Sequence, residues 1–307
     1  PTAIGKFGSD TDNWVWPRHT GDFSLFRIYA DKNNRPAKYS KDNVPYTPKH
    51  FLPISLDGVA EDDFTLVFGY PGKTNEYLPS IAIEQIINEL NPAKIEIRDK
   101  ALKVADGFMR KDNAIKIQYA SKYASIANYW KKWIGETQGL KKSNAVAVKR
   151  ETEKAFQQKI AKTGKEKEYG TLLADFDKNY TEIAPYAVAR DYFTEIVLRN
   201  TELLSMGYKL YQLEQVYKSR GEQAFTDRKN NLINGLADFY KNFNATVDEK
   251  VFEQLIELYA AKSPKQFLPQ GLTNVNAKNL ASEIYTKSKL KNYAGLKELL
   301  SGDAKTV

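Results

Sequence analysis

The hydrophobic pattern of the sequence changes once, at about residues 72–78, and this change limits the folds open to the chain. Residues 1–75 hold short apolar runs separated by turn residues, and seven of the 12 Pro lie there. After residue 75 the apolar residues recur every three or four positions, which is the spacing of one face of an α-helix. We therefore predict a β-rich segment followed by a longer helical region.

Three apolar runs are the predicted strands of the first segment, at residues 23–30, 51–56 and 64–68. Residues 31–34 fit a hairpin-like connection and residues 56–58 fit a second turn. In the first run, alternate positions put apolar residues on both faces of the strand. This pattern predicts a strand buried on both sides, as in a barrel or a sandwich.

Helical spacing is clearest over residues 115–133, where six apolar residues share one face: Ile115, Tyr119, Tyr123, Ile126, Trp130 and Trp133. A similar stripe comprises Leu203, Leu210, Leu213 and Tyr217. Residues 246–249 have the spacing of a capping box ahead of an apolar stripe that runs from Val251 to Tyr259. Pro79 is predicted to open the first long helix, and Pro185, Pro264 and Pro269 are predicted to mark breaks. The charged residues 157–168, which include Gly164, predict a helix end or an exposed turn.

Composition excludes several kinds of site. The absence of Cys excludes disulfides, Cys-based zinc sites and a thiol nucleophile, and two His make a transition-metal site unexpected. We expect no cofactor, because the Gly-Lys-Thr at residues 72–74 lacks the spacing of a phosphate-binding loop. No run of about 18 apolar residues occurs, so no membrane span is expected.

The net charge is +8, and it comes entirely from the helical region, because residues 1–75 hold nine basic and nine acidic residues. Such an excess can attract acidic partners, or it can be the solvated surface of charged helices. The sequence Tyr129-Trp130-Lys131-Lys132-Trp133 allows a nucleic-acid surface. The spacing favours the other interpretation, in which both Trp pack inward and both Lys stay in water. We expect no nucleic-acid partner.

The segment at residues 10–30 concentrates the side chains with chemical potential. It holds two of the four Trp, one of the two His, two Arg and three Asp ahead of or within the first predicted strand. Loops that lead into a rigid strand often carry function. Asp22 lies at the entry of that strand, where it either caps a turn or serves a reaction. The acidic cluster at residues 61–63 is interpreted as a solvated turn, and His50 as exposed.

The motif Asp-Thr-Asp-Asn-Trp-Val-Trp-Pro-Arg-His-Thr-Gly-Asp-Phe at residues 10–23 resembles the dipeptidyl-peptidase 7 and dipeptidyl-peptidase 11 group of bacterial serine exopeptidases. Gly-Tyr-Pro-Gly-Lys-Thr-Asn at residues 69–75 adds to the resemblance, which extends over the whole chain. It implies an α+β fold: residues 1–75 are part of a chymotrypsin-like β-barrel, and residues 76–307 are a large all-α cap domain, incomplete at its C-terminus.

The resemblance also implies an activity, the release of dipeptides from the free N-termini of oligopeptides. Asp22 matches the Asp of the catalytic triad, which orients the His and stabilises its imidazolium. Asn13 and Trp14 match residues that hold the substrate's α-amino group. A terminal ammonium carries three donors and needs acceptors around it. Anchoring it fixes which peptide bond reaches the nucleophile, so that dipeptide length follows from geometry.

The triad His and Ser of the family fall outside this chain, so we expect it to be an internal fragment that is inactive alone. His19 is rejected as a substitute base and is interpreted as loop support. Arg18 pairs with Asp10 or Asp12, or it reaches toward substrate. The resemblance further implies a periplasmic or cell-envelope enzyme of a Gram-negative bacterium that is a homodimer at full length. Its preference for a hydrophobic or an acidic residue before the cut stays open.

A different class of function is the alternative. The helical region could be a stand-alone basic interaction module without catalysis, with the β-segment only structural.

Overall fold

A computed structural model of the chain describes residues 25–66 and 75–303. The chain separates into two compact units, Pro1–Glu76 and Tyr77–Val307. Among the described residues the first unit contains little regular structure, whereas the second is almost entirely helical.

The first unit contains an antiparallel strand pair, β1 (Tyr29–Ala30) and β2 (Val44–Pro45). The predicted turn at residues 31–34 is confirmed. The Asp31 carboxylate accepts hydrogen bonds from the backbone amides of Asn33 and Arg35, and Asn34 adopts a φ of 61°. An Asx turn of this kind reverses the chain locally, and the residues up to 43 complete the connection from β1 to β2.

The strand predictions for residues 51–56 and 64–66 are wrong, since the structure assigns no strand there. The first predicted strand is reduced to Tyr29–Ala30 within the described residues. The prediction that this strand is buried on both sides is also wrong: Leu25 and Phe26 are about nine-tenths exposed, and Ile28 is 67% exposed. The described part of the unit offers no second sheet against which these side chains could pack, so a β-barrel is absent from residues 25–66.

The second unit contains the helices α1 (Ser80–Gln85), α2 (Asn91–Met109), α3 (Asn113–Lys142), α4 (Ala145–Thr163), α5 (Glu166–Tyr169), α6 (Leu172–Phe193), α7 (Glu202–Asn242), α8 (Ala245–Lys262), α9 (Ala277–Lys287) and α10 (Tyr293–Leu300). Two π-helical segments, Ile86–Leu90 and Thr194–Asn200, continue α1 and α6. Three 3-10 turns occupy Lys265–Phe267, Gln270–Leu272 and Lys289–Lys291. Within the described residues, no helix combines the length and the apolar character that crossing a bilayer requires.

The main hydrophobic core of this unit surrounds α8, which packs against α2 and α9. The apolar stripe predicted there is confirmed: its side chains are at most 6% exposed, and they are Val251, Phe252, Leu255, Ile256 and Tyr259. The predicted face of α3 is only partly buried, with Tyr119 and Trp133 in the interior and the rest at the margin. Helix α8 is therefore central and α3 lies at the border of the core.

Helix α7 is interrupted at Gly221, whose φ of 79° and ψ of −174° are not helical. The two halves fold back on each other, because Arg228 donates a hydrogen bond to Gln212 and the rings of Tyr217 and Phe225 meet edge to face at 5.8 Å. Only a residue without a Cβ adopts this backbone conformation readily. A second core cluster forms along this hairpin and α10.

Two predicted boundaries are corrected. Pro185 lies inside α6 and does not break it; the position is partly exposed, so water can reach the carbonyl that loses its amide partner. Helix α8 is capped by Asn244, whose side chain accepts from the amide of Val247, two residues before the predicted Thr246. The predicted break after α8 at Pro264 and the helix end at Gly164 are both confirmed.

Candidate functional site

The predicted site residues Asp22, Asn13 and Trp14 lie outside the described residues, as do Arg18 and His19. Their roles therefore stay predictions.

Three other segments named above can be placed. His50 is exposed, and residues 61–63 form an exposed turn in which the Asp63 carboxylate accepts from the amide of Ala60 at 2.7 Å, as predicted. Trp133 is buried at 8% exposure and Trp130 is partly buried. Lys132 pairs with the Glu136 carboxylate at 2.8 Å, so this stretch is an ordinary packed helix face.

The helical unit contains a cavity of about 350 Å³ that opens between several helices. Its apolar wall includes Ala101 and Ala105 of α2, one turn apart, whose small side chains leave the space. Its polar wall includes Lys122 of α3 and Glu202 at the start of α7. Cavities of this size are in the lower range of ligand pockets, about 300–1,000 Å³.

Asp248 lines this cavity and joins three helices. Its carboxylate lies on α8 but accepts hydrogen bonds from the backbone amides of Glu202 (2.8 Å) and Leu203 (2.9 Å), the first two residues of α7. The Tyr285 hydroxyl of α9 donates to the same carboxylate at 2.5 Å. The first amides of a helix have no partner within it, and Thr201, at the position that normally supplies one, makes no such bond. Asp248 thus caps α7 from another helix.

A second polar group lies beside it at the cavity wall. Lys122 bridges both carboxylate oxygens of Glu202 at 2.7 and 2.8 Å, and its ammonium stands 4.4 Å from the centre of the Tyr119 ring. The Tyr119 hydroxyl donates to Glu202 at 3.0 Å, and Lys122 also donates to the Asn242 carbonyl. These contacts fix Glu202 next to the carboxylate of Asp248.

Burial governs the protonation of the Asp248 carboxylate. Removal from water and, next in size, the nearby Glu202 carboxylate raise the pKa of Asp248 to about 7, against the three donors that favour the charged form. Burial likewise raises the pKa of the Tyr119 and Tyr285 hydroxyls well above their ordinary values. Both tyrosines consequently stay protonated and act as hydrogen-bond donors near neutral pH.

A buried ion pair lies behind the cavity. Arg98 of α2 donates to Glu195 at 2.7 and 3.3 Å and to the Ile126 carbonyl at 3.0 Å. Its guanidinium also stands 4.8 Å from the Trp133 ring centre. Both charged residues are at most 6% exposed. Pairing, carbonyl acceptors and an aromatic face are what such burial requires.

The π-helical segment Thr194–Asn200 begins beside that pair, at Glu195, and ends at the cavity wall, which Asn200 lines. Asn200 donates through Nδ2 to the Glu195 backbone carbonyl at 2.7 Å and to its carboxylate at 3.2 Å. Its side-chain oxygen is buried and has no hydrogen-bond partner among the described residues. The neighbouring Arg199 is exposed, lines the same cavity, and forms no ion pair within the part of the chain that the structure describes. π-helical turns are frequent at functional sites.

Sequence patterns alone do not reveal this cavity. Asp248 was placed in the predicted capping box, whose spacing gave no sign that its carboxylate serves another helix. The only available signal was the ionisable residues within apolar helical stripes, such as Arg98 and Asp248. Across residues 25–66 and 75–303, no group of three or more acidic or His side chains is placed to hold a metal ion.

Comparison with known proteins gives a family match. The family described as peptidase S46 matches residues 1–307. The chain is 74% identical over 307 residues to the Asp/Glu-specific dipeptidyl-peptidase of Flavobacterium psychrophilum, covering all of this chain and 43% of that protein. It is 59% identical over 301 residues to the Asp/Glu-specific dipeptidyl-peptidase of Capnocytophaga gingivalis, covering 98% and 42%. It is 38% identical over 295 residues to dipeptidyl-peptidase 7 of Porphyromonas gingivalis, covering 94% and 40%.

A solved structure agrees with these matches. The crystal structure of Porphyromonas endodontalis DPP11 in complex with the dipeptide Arg-Glu superposes with a TM-score of 0.76 at 30% identity, covering 98% of this chain and 44% of that one. The chain thus spans less than half the length of the relatives it matches.

Proposed function

Because the chain belongs to the peptidase S46 family, we propose that it serves in a serine-type dipeptidyl-peptidase that releases dipeptides from the free N-termini of oligopeptides. The observation that carries this proposal is the 74% identity, over every residue of this chain, to a relative named as an Asp/Glu-specific dipeptidyl-peptidase. Proteins that are 74% identical over such a length ordinarily take part in the same reaction.

The proposed reaction is acyl transfer, in which a Ser attacks the second peptide bond and a His moves the proton. In this scheme Asp22 orients the His, and Asn13 and Trp14 hold the substrate's ammonium. The support for these roles is the motif at residues 10–23, with its match to the family pattern, together with the need of a terminal ammonium for several acceptors.

We further propose that residues 1–75 contribute to a chymotrypsin-like β-barrel and that residues 76–307 form a helical cap domain. The exposed apolar side chains of residues 25–66 support the first part, and six of the most exposed are Leu25, Phe26, Leu52, Ile54, Leu56 and Phe64. Apolar side chains exposed in this number ordinarily mark a surface that other parts of a protein or a partner cover.

The names of the relatives bear on specificity. The two relatives at 74% and 59% identity are both named Asp/Glu-specific, whereas the relative named dipeptidyl-peptidase 7 is 38% identical. We propose a preference for an acidic residue before the cut, with oligopeptides as the substrates. A periplasmic or cell-envelope location and a homodimer are also proposed, on the family resemblance alone.

The test uses the protein at the length of its relatives, with released dipeptides measured by mass spectrometry. Asp22→Ala should lower turnover by about four orders of magnitude, as loss of a triad Asp does, whereas the control Asp42→Ala, on an exposed turn, should leave turnover unchanged.

Asn13→Ala should mainly raise KM for peptides with free N-termini. Equal rates on N-acetylated and free peptides in the unaltered enzyme would refute the proposed anchoring of the amine. Full activity of the Asp22→Ala protein would refute the triad assignment, whereas no dipeptide release by the unaltered protein would favour the non-catalytic helical module.

A further inference from the structure

We propose that Asp57-Gly58 is a site of spontaneous backbone modification, at which the aspartate isomerises to isoaspartate through a cyclic imide. The sequence contains three pairs in which Gly follows Asp or Asn, at residues 57–58, 106–107 and 234–235. Gly has no side chain to shield its own amide nitrogen, so these pairs are the ones most open to such a reaction. The structure separates the first pair from the other two. The site lies in the first unit and does not depend on the reaction proposed above.

The backbone at Gly58 is exposed and open. Asp57 lies at a bend outside any helix or strand, and both residues of the pair are exposed. The Gly58 amide donates no hydrogen bond within the described residues. Gly58 has a φ of 74°, and no described atom lies within 4 Å of the point where a Cβ would stand. An exposed loop without amide hydrogen bonds opens at little cost, so the nitrogen can turn toward the neighbouring side chain.

The Asp57 carboxyl group is held only by its own turn. The Ser55 hydroxyl donates to it at 3.3 Å, and the Asp57 amide donates to the Ser55 hydroxyl oxygen at 3.2 Å. Both contacts are exposed, and such bonds contribute little in water. Within the described residues, no cation and no other element of the fold holds this carboxyl group in place. Its Cγ is therefore free to approach the Gly58 nitrogen.

The other two pairs are held in helices. Asp106-Gly107 belongs to α2 and Asn234-Gly235 belongs to α7. A helix fixes ψ at about −42° and binds each interior amide to the carbonyl four residues earlier. The Asp106 carboxylate also accepts a hydrogen bond from Arg110 Nε at 2.6 Å. Either pair must wait for its helix to open locally before the nitrogen can turn, and this opening lowers the rate.

The reaction needs only water. The Gly58 amide nitrogen attacks Cγ of Asp57 in its neutral acid form. The N–Cγ bond forms, the bond from Cγ to the hydroxyl oxygen breaks, and that hydroxyl leaves as water with the amide proton. Water then adds to either carbonyl of the imide. Addition at Cγ restores aspartate, whereas addition at the main-chain carbonyl carbon leaves isoaspartate, whose main chain runs through the side-chain methylene. Nothing is oxidised or reduced.

The test incubates the protein, at the length of its relatives, for weeks at slightly acidic pH in heavy-oxygen water. After digestion in ordinary water, electron-transfer mass spectrometry distinguishes isoaspartate from aspartate in each peptide. We expect isoaspartate at residue 57 with one solvent oxygen incorporated. It should accumulate about tenfold or more faster than at residue 106, because the helix has to open first. In the urea-unfolded protein the two Asp-Gly pairs should react at similar rates, because the structural difference is gone.

Two conservative variants sharpen the test without changing Gly58. Asp57→Glu moves the carboxyl group one methylene away, so the five-membered imide cannot form, and the modification at this position should disappear. Asp57→Asn places at the turn the same pair that α7 holds at residues 234–235. The amide then leaves as ammonia and the product is heavier, so deamidation is measured directly. It should be about tenfold or more faster at residue 57 than at Asn234, for the same reason. Circular dichroism identifies any variant that has lost its fold.

Absence of isoaspartate at residue 57 in the folded protein would overturn the proposal. So would equal accumulation at residues 57 and 106, because the turn would then offer no advantage over a helix. Isoaspartate at residue 57 without a solvent oxygen would exclude the imide, and an Asp57→Asn protein that deamidates no faster at this position than at Asn234 would contradict the structural argument. Failure of Asp22→Ala to lower turnover is a separate result that refutes the proposed reaction and not this site.

Discussion

Replacing Asp248 by Asn tests whether burial or hydrogen bonding controls the protonation of this carboxylate, the most buried one among the described residues of the helical unit. Burial and the neighbouring Glu202 raise its pKa to about 7, whereas the two amides of α7 and the Tyr285 hydroxyl favour the charged form. The ordinary pKa of this group is 3.8. Between pH 3.8 and about 7 the folded chain then holds a proton on Asp248 that the unfolded chain has released.

The sign of the pH dependence follows from this difference. Where the folded state binds more protons, the free energy of unfolding falls as pH rises. The contribution of Asp248 is fully present below pH 3.8 and is lost as pH rises through 7. A pKa moved from 3.8 to about 7 corresponds to about 4 kcal/mol. Asn cannot ionise, so the stability of the unaltered chain relative to Asp248→Asn should fall by about 4 kcal/mol from pH 4 to pH 8.

Urea unfolding followed by circular dichroism at half-unit pH steps measures this difference. Other titrating groups are common to both chains and largely cancel. Asp238→Asn, on an exposed residue of α7, is the matched control and should show no change in relative stability over the same range. A difference that rises with pH would refute the reasoning, because the three donors would then outweigh burial. A constant difference would show that the two forces cancel.

Two further substitutions test other parts of the helical unit by the same unfolding assay. Arg98→Met leaves a buried carboxylate without its partner and should cost about 3–5 kcal/mol, whereas Arg110→Met, which breaks an exposed pair, should cost less than about 1 kcal/mol; similar losses for the two would contradict the reasoning. Gly221→Ala forces a Cβ into a backbone conformation at φ 79° and should cost about 1–3 kcal/mol. Gly235→Ala, inside the same helix with open space at its Cβ position, should stabilise the chain by about 0.5–1 kcal/mol, and stabilisation by both would refute the strain at Gly221.

The helical region was predictable because its signals are local. The stripe that ends at Tyr259 repeats at helical spacing, and the structure buries it as expected. The interruption at Pro185 was predicted wrongly, because the helical preference of the other residues of a 22-residue helix outweighs the low propensity of one Pro. The capping residue of α8 was misplaced by two positions, since Asn244 and Thr246 are both suitable and only the backbone geometry decides between them.

The β-segment was harder to predict for a physical reason. A strand gains stability from partners distant in sequence. An apolar run therefore shows that a segment can be buried, but not which strand would cover it. Leu25 and Phe26 fit a buried strand by pattern, yet no partner strand covers them within the described residues. The site residues around Asp22 were identified by motif and resemblance, which suggest chemical roles but do not give the positions of the side chains in space.

The cavity could not be predicted from sequence because its polar residues act across elements. Asp248 caps a helix 46 residues earlier in the chain, and Arg98 pairs with a carboxylate 97 residues later. Both contacts converge on residues 195–203, the short stretch where the π-helical segment ends and α7 begins. Arg98 holds this stretch through Glu195, and Asp248 holds it through the first amides of α7. Arg199 and Asn200 lie between these two attachments, so the fold fixes the backbone beneath them while leaving the guanidinium in solvent. A wall of the cavity is thus fixed by contacts between helices that are distant in sequence, which is why no local pattern reveals it.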